Sequence, residues 1–526
     1  MATTAKIKKN ALNISSILGG TVSMSLSAVI VKIIGVVYKI PLASILGDAG
    51  MGYFNSAYTV YGLFYILCSA GVPKAVTIMI SRAKSEQREF DEYNIVRIAS
   101  RAYFLLGACL TVLLIILSEP LAVLIGNSGS TATIVAVAPS IIFISIAGVV
   151  RGALNAGLQF GAIATAQIIE GVGKLVLGLV FANIAVAHGA PLPIVSCMTI
   201  LGVTFGSVFG LAYMNVCYKT LKKKIKTRQR RKGGTGIALE IFRISFPITL
   251  SAAVMSVTNL IDLGVVMRRL CDYGYSTLEA NTLYGNYTTA AVPVFNLILA
   301  VITPISVTFL PLISKAHASR DLLTIRSISS NAILISNFVA IPLALGMSLF
   351  PEEFMSLLFK NLNGSVGATL IAALMPAVLF MSPLLIVNTT LEACGVVRGP
   401  LVSILVGGVV KLLVSYTLVG GNLGILGAPI STIISYFSSL VVSVAMLKAK
   451  HGYSLACISS FVVPFVNSAL TLIPIKLLAM KFAFILGDTL AFVLAIVLSI
   501  IVYTLFSFLT GVISYKRIEE IATYTK

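Results

Sequence analysis

The chain has 526 residues, of which 58% are hydrophobic and only 11% charged, and its mean hydropathy is +1.00. Soluble domains carry about 25% charged residues, so this composition excludes an ordinary globular enzyme or binding module and points to a polytopic membrane protein. The formal net charge of +20 sits in short loops and not on a soluble domain. It reads as a topology signal, and nucleic-acid binding is not expected.

A helix needs roughly 20 apolar residues to cross a bilayer. Stretches that qualify occupy 12–45, 52–81, 99–118, 132–156, 160–187, 192–218, 238–267, 282–312, 327–349, 367–392, 399–419, 424–447, 455–478 and 485–511. These are continuous apolar runs without period-two alternation, so they predict helices and not barrel strands. The expected fold is an all-α polytopic membrane protein of about 14 transmembrane helices.

Taken in chain order, the spans carry few ionisable residues, and each is costly unless it faces a partner or a water-filled cavity. The first contains Lys32 and Lys39, seven apart and therefore on one face. Gly47 and Gly50 follow in a short loop whose tight turns suit a gate. The second contains Pro73 and Lys74, with the proline expected to bend the helix. Glu119 to Gly126 is expected to form a separate amphipathic piece along the interface, as is Pro351 to Lys360 at the matching place later in the chain. The fifth span holds Glu170 one turn before Lys174, an order that favours local pairing. The seventh begins with Glu240 and Arg243, an expected interfacial pair, and carries Asn259 and Asp262 deep inside. An intramembrane carboxylate is a natural site for a coupling proton or sodium ion. The eleventh holds Lys411, which has Gly407 where Lys174 has its acid.

The first half is repeated in the second. Pro139, Phe143, Ser145, Leu154 and Ala156 recur in register as Pro376, Phe380, Ser382, Leu391 and Ala393. Gly171-Val172 and Lys174-Leu175 recur as Gly408-Val409 and Lys411-Leu412, and Gly189-Ala190-Pro191 as Gly427-Ala428-Pro429. The domains read as a six-helix lobe over 1–218, a basic linker over 219–237, a second six-helix lobe over 238–450, and two added helices with a short tail over 451–526. Two halves in the same orientation suggest a transporter with a substrate path between lobes. Most of the 38 Lys and Arg residues fall on one side if both termini are cytoplasmic, as the positive-inside rule requires. The linker run from Lys219 to Lys232 can also attract anionic headgroups.

Seven cysteines without paired spacing and three scattered histidines argue against a disulfide framework, a metal centre and a catalytic constellation. The chain is expected not to be an enzyme. Lysines within the first two helices, Lys32, Lys39 and Lys74, with Lys411 in the second lobe, instead make a cationic cavity that suits phosphate oxygens.

Lys32-Ile33-Ile34-Gly35 through Lys39, Leu46-Gly47-Asp48-Ala49-Gly50-Met51-Gly52-Tyr53-Phe54, Ser69-Ala70-Gly71-Val72-Pro73 and Ser81-Arg82-Ala83 together resemble the opening of the MurJ and SpoVB-type lipid II flippases. That family belongs to the multidrug/oligosaccharidyl-lipid/polysaccharide (MOP) exporter superfamily, and the resemblance covers nearly the whole chain. It implies a MATE/MOP-like fold of two six-helix lobes plus two C-terminal helices in the bacterial cytoplasmic membrane. It also implies transfer of an undecaprenyl-diphosphate-linked peptidoglycan precursor to the outer leaflet by alternating access, for cell-wall or spore-cortex synthesis. Lys32 matches a basic family position in the first helix and Lys39 falls close to another; Lys74 does not align cleanly. The eighth span, Leu283 to Leu312, lacks the basic residue that the family carries there. The last two helices, through Val462 to Leu478 and Leu490 to Phe508, are expected to form a groove for the polyprenyl tail. No cofactor is expected; Na+, H+ or the membrane potential would drive transport, with a monomer as the working unit. The competing readings are a flippase for another lipid-linked oligosaccharide of the O-antigen or capsule type, a cation-coupled multidrug exporter, and a membrane-embedded glycosyltransferase or polymerase.

Overall fold

The computed structural model describes residues 2–85, 89–222, 234–358, 364–396, 398–451 and 459–510. Side chains are described from Ile30 onward apart from scattered helical positions, and Lys32 is one of those outside the described set. Most of the basic linker 219–237 also lies outside it. Among the described residues the structure is helical and contains no strand. Ten helices are long and apolar enough to cross a membrane, or twelve if each of two bent pairs is one span. The other two expected spans, 12–45 and 238–267, fall on helical segments whose side chains are only partly described.

The chain divides into two compact units, Met1–Gly264 and Val265–Lys526. The first opens with α1 (Ala2–Ser69), which breaks at Gly47, where φ is 61° and ψ −174°. Glycine is required there because side chains rarely adopt that backbone conformation. Gly50, in contrast, is helical and pressed against Leu46, so Gly47 alone makes the turn. The helix breaks again at Ala70 and Gly71, ahead of α2 (Val72–Ser85) and of Pro73.

Helix α3 (Glu89–Ile125) continues through Pro120. The separate amphipathic piece expected at Glu119 to Gly126 is therefore the end of a transmembrane helix; its matching piece is a distinct helix, α12 (Pro351–Leu358). The unit continues with α4 (Thr131–Val137), α5 (Ser140–Ala156), α6 (Phe160–Ala187) and α7 (Leu192–Lys222). Its last element is the first part of α8 (Gly234–Asp272), which packs on α2 and α3. There Tyr103 and Ser245 share a hydrogen bond of 2.7 Å, and a Cβ on Gly71 would meet the Ser245 carbonyl and Thr249 Oγ1. Glu240 pairs with Arg82 at 3.3 Å, and the expected local pair with Arg243 gives way to this cross-helix one. The repeat places the lobe boundary before α8, whereas packing divides that helix between the units.

The second unit contains α9 (Thr277–Asn286), a π-helical turn at Tyr287–Ala291, α10 (Val292–Ala318), α11 (Leu322–Leu349), α12, α13 (Gly364–Leu374), α14 (Ala377–Ala393), α15 (Arg398–Val419) and α16 (Gly427–His451). The sequence repeat reappears as geometry. Residues 128–137 and α5 meet at a bend of 43°, and α13 and α14 at 42°, with Pro139 and Pro376 at the two N-caps. Leu154 and Leu391, paired by the repeat, are both fully buried. Helices α17 (Ser459–Leu486) and α18 (Asp488–Leu509) complete this unit by packing on α11. Asn337 donates to the Ser460 carbonyl at 3.1 Å, Tyr503 donates to the Phe338 carbonyl at 3.0 Å, and their rings stack.

Candidate functional site

The break at Gly47 folds α1 back on itself, so residues from either side meet. Tyr38 packs edge-on to Phe54 with ring centroids 6.2 Å apart, and Lys39 Nζ donates to Asn55 Oδ1 at 3.2 Å. Beyond the break, Phe54, Tyr58, Tyr61 and Tyr65 follow at helical spacing on one face and form a continuous ladder with centroids 5.5–6.0 Å apart. Helix α6 supplies the second cation. Lys174 Nζ lies 4.3 Å from the Tyr58 ring centroid and 5.4 Å from that of Tyr38, and donates to Tyr58 Oη at 3.2 Å. Aromatic faces hold a cation without neutralising it. Lys39 and Lys174 interact electrostatically, and Lys174 stands over the ring of Tyr38, the residue next to Lys39.

The local Glu170–Lys174 pair does not close. Glu170 faces both Lys174 and Arg151 of α5, while Lys174 is held by Tyr58. Gly178 of α6 leaves the space that Tyr38 occupies, since a Cβ there would strike its ring. The arrangement gives an anion two positive groups, one polar amide and phenolic hydroxyls.

Among the other sequence candidates, Lys74 is exposed in the first turn of α2 and forms no hydrogen bond or ion pair among the described residues. Lys411 is half-buried on α15 and faces Tyr436 of α16, whose ring stacks on Phe295. Asp262 is buried in α8 but Asn259 is exposed, so their spacing does not bring both into one buried polar spot. The sequence reading missed Lys174, Arg151 and Tyr58 as a group. The helical spacing of Phe54, Tyr58, Tyr61 and Tyr65 was the visible signal for a cation platform.

A separate feature lies within the second unit. An apolar groove of about 340 Å³ is walled by Phe338, Pro342, Phe350, Leu472, Phe492 and Tyr503, from α11, the α11–α12 junction, α17 and α18. At its Phe350 end Lys476 pairs with Glu353 and lies 4.6 Å from the Phe350 ring centroid.

The profile of the polysaccharide biosynthesis protein family matches residues 17–317, more than half of the chain. The chain belongs to that family. Proteins similar to it include the stage V sporulation protein B of Bacillus subtilis (strain 168), 23% identical over 425 residues, with 79% of this chain and 80% of that protein covered. The lipid II flippase MurJ of the same organism is 22% identical over 460 residues, covering 84% of each. In fold, this family member is similar to the lipid II flippase MurJ in its inward closed conformation, with a TM-score of 0.71, 15% identity and coverage of 92% of this chain and 97% of that one. It is also similar to an inward-facing multidrug resistance MATE family transporter of the MOP superfamily, with a TM-score of 0.63, 14% identity and coverage of 81% and 98%. Among the described residues the chain is all-α, and it shares the fold of these membrane proteins.

Proposed function

We propose that this protein is a flippase that carries undecaprenyl-diphosphate-linked peptidoglycan precursor, lipid II, from the inner to the outer leaflet by alternating access, and that it catalyses no chemical change. The observation that carries this reading is the placement of Lys174 over Tyr38 and Tyr58, beside the neighbouring Lys39 with its Asn55 contact, within apolar helices. Ammonium groups within membrane-spanning helices are retained where they meet a partner or water, and charge-assisted hydrogen bonds to phosphate oxygens provide such a partner. Lys32, Lys74 and Lys411 are assigned as further cations along the substrate path, Gly47 as the pivot of a gate, with Gly50 beside it. The groove beside α17 and α18 is apolar enough for an isoprenoid tail, and the relatives named above include a lipid II flippase. We assign the bacterial cytoplasmic membrane, both termini cytoplasmic, with the protein working as a monomer. Na+, H+ or the membrane potential would drive the cycle, with Asp262 a candidate coupling carboxylate and Asn259 one turn away.

The family description, polysaccharide biosynthesis protein, favours a second reading in which the cargo is another lipid-linked oligosaccharide, because diphosphate and tail are shared. The test is a leaflet assay for lipid II in cells depleted of their own flippase, comparing the intact chain with Lys39→Ala and Lys32→Ala at equal membrane abundance. Restoration by the intact chain and loss in the variants supports the lipid II reading. Failure of the intact chain, together with export of a different lipid-linked saccharide, would replace it with the second.

A further inference from the structure

Among the described residues Glu170 is the carboxylate beside the cations of the first unit, and the proposed cargo leaves it without a role. It lies on α6 one turn before Lys174, at the seam where α5, α6 and α7 pack through Val150, Leu154, Ala166 and Leu211. The charged and titratable groups that face it are Arg151 from α5, Lys174 from its own helix and Tyr61 from α1. From α7 it meets Gly206 and Gly210: a Cβ on Gly210 would sit 3.4 Å from Glu170 Oε2, and one on Gly206 2.7 Å from its carbonyl oxygen. Neither cation is consumed by the carboxylate. Lys174 hydrogen-bonds Tyr58, and Arg151 Nε is buried without a hydrogen-bond partner among the described residues. A buried guanidinium donor left open beside a shared carboxylate is an uncommitted anion contact.

We propose that Glu170 is an exchangeable counter-ion: its carboxylate balances Arg151 and Lys174 while the site is empty, and it takes up one proton when an anionic group binds there. An oxyanion reaching Lys174 would stand close to a second negative charge drawn to the same cations, in surroundings that screen poorly. The proton comes from the aqueous phase onto the carboxylate as the anion enters and returns to it when the anion leaves. Anion binding and protonation therefore favour each other, and by linkage the effect is reciprocal. This inference rests on the anionic-cargo reading above, and gives the coupling role to a residue inside the binding site itself.

The test is binding of inorganic pyrophosphate to the purified full-length protein across the neutral pH range, for wild type and Glu170→Gln. The titration of pyrophosphate is common to both and cancels in the difference, and Glu170→Asp keeps the charge that sets the neighbouring lysines. For one exchanged proton, wild-type affinity falls with rising pH more steeply than that of Glu170→Gln, by up to about tenfold per pH unit. Glu170→Gln binds more tightly at the alkaline end, and Glu170→Asp keeps the wild-type slope. Parallel profiles in wild type and Glu170→Gln, or no binding of pyrophosphate by wild type at any pH, overturn the proposal. A second measurement is proton uptake on adding sulfate, whose own charge is constant in this range. Uptake by wild type that is lost in Glu170→Gln supports the exchange, and equal uptake in the two, or none in wild type, overturns it. Failure of the leaflet assay would remove lipid II as cargo and leave these binding results standing, so the two readings fail separately.

Discussion

Helices α6 and α7 of the first unit and α15 and α16 of the second are repeats of one another, yet they are joined by different chemistry. In α6–α7 the contact is backbone on backbone. A Cβ on Gly202 would lie 2.6 Å from Gly178 Cα and 2.8 Å from the Lys174 carbonyl oxygen, and one on Gly206 2.9 Å from Lys174 N. In α15–α16 serines fill the seam. Ser435 Oγ donates to the Gly407 carbonyl at 2.8 Å, and Ser415 to Ser431 at 2.7 Å. Both solutions are known ways for helices to approach closely in lipid, through small residues or through hydroxyl hydrogen bonds. The consequence differs. The glycine seam holds the backbone of Lys174 and Glu170 directly against α7, whereas the approach beside Lys411, at Gly407, is shared between the Ser435 backbone and the hydroxyls of Ser435 and Ser439.

The largest test of that difference is transport. Lys39→Ala is expected to lower lipid II appearance in the outer leaflet by roughly a hundredfold, the loss of a charge-assisted contact of about 3 kcal/mol, while Lys411→Ala reduces it only several-fold. Equal losses would mean that both units bind the anion alike. Next is the seam itself. Gly206→Val should cost about 1–3 kcal/mol, the usual range for overpacking a close contact, and lower the thermal midpoint in detergent. Ser435→Ala should cost about 0.6 kcal/mol, the mean for a hydrogen bond between membrane helices. A smaller effect for Gly206→Val than for Ser435→Ala would reverse the contrast.

The smallest expected effect is at the mouth of α11 in the second unit. Asp321 accepts from Thr324 Oγ1 at 2.6 Å and from Thr324 N at 3.0 Å, and these bonds hold its carboxyl below the usual carboxylate range. Because the folded value is depressed, the cap stabilises α11 above the unfolded value of about 3.9 and is lost as the pH falls through the folded one. Thermal melts of wild type and Asp321→Ala should therefore differ slightly at neutral pH and converge in acid. A gap that persists in acid would assign the effect to packing.

Much of this molecule is legible in one dimension. Apolar length marks the spans because unbonded backbone is not tolerated in lipid; the shared register of Pro139 and Pro376 was legible as a repeat, whereas the bends of 43° and 42° beside them appear only in the structure. Lys39 was visible as a charge that needs a partner. Its partner was not, because Asn55 reaches it only after the chain reverses at Gly47. Spacing along a helix predicts neighbours at three and four residues, and in two cases that prediction yielded to a partner from another helix. Glu240 pairs with Arg82 and not Arg243, and Lys174 turns to Tyr58 while Glu170 is shared with Arg151.

The sequence by itself determined the membrane class, the duplication and the residue types able to hold an anion, since these follow from composition and local period. Only the tertiary structure decided which cations stand together, which acid they share and where α8 changes allegiance. Those outcomes depend on how closely helices approach, and approach distance is set by glycines and serines whose partners lie far away in the chain.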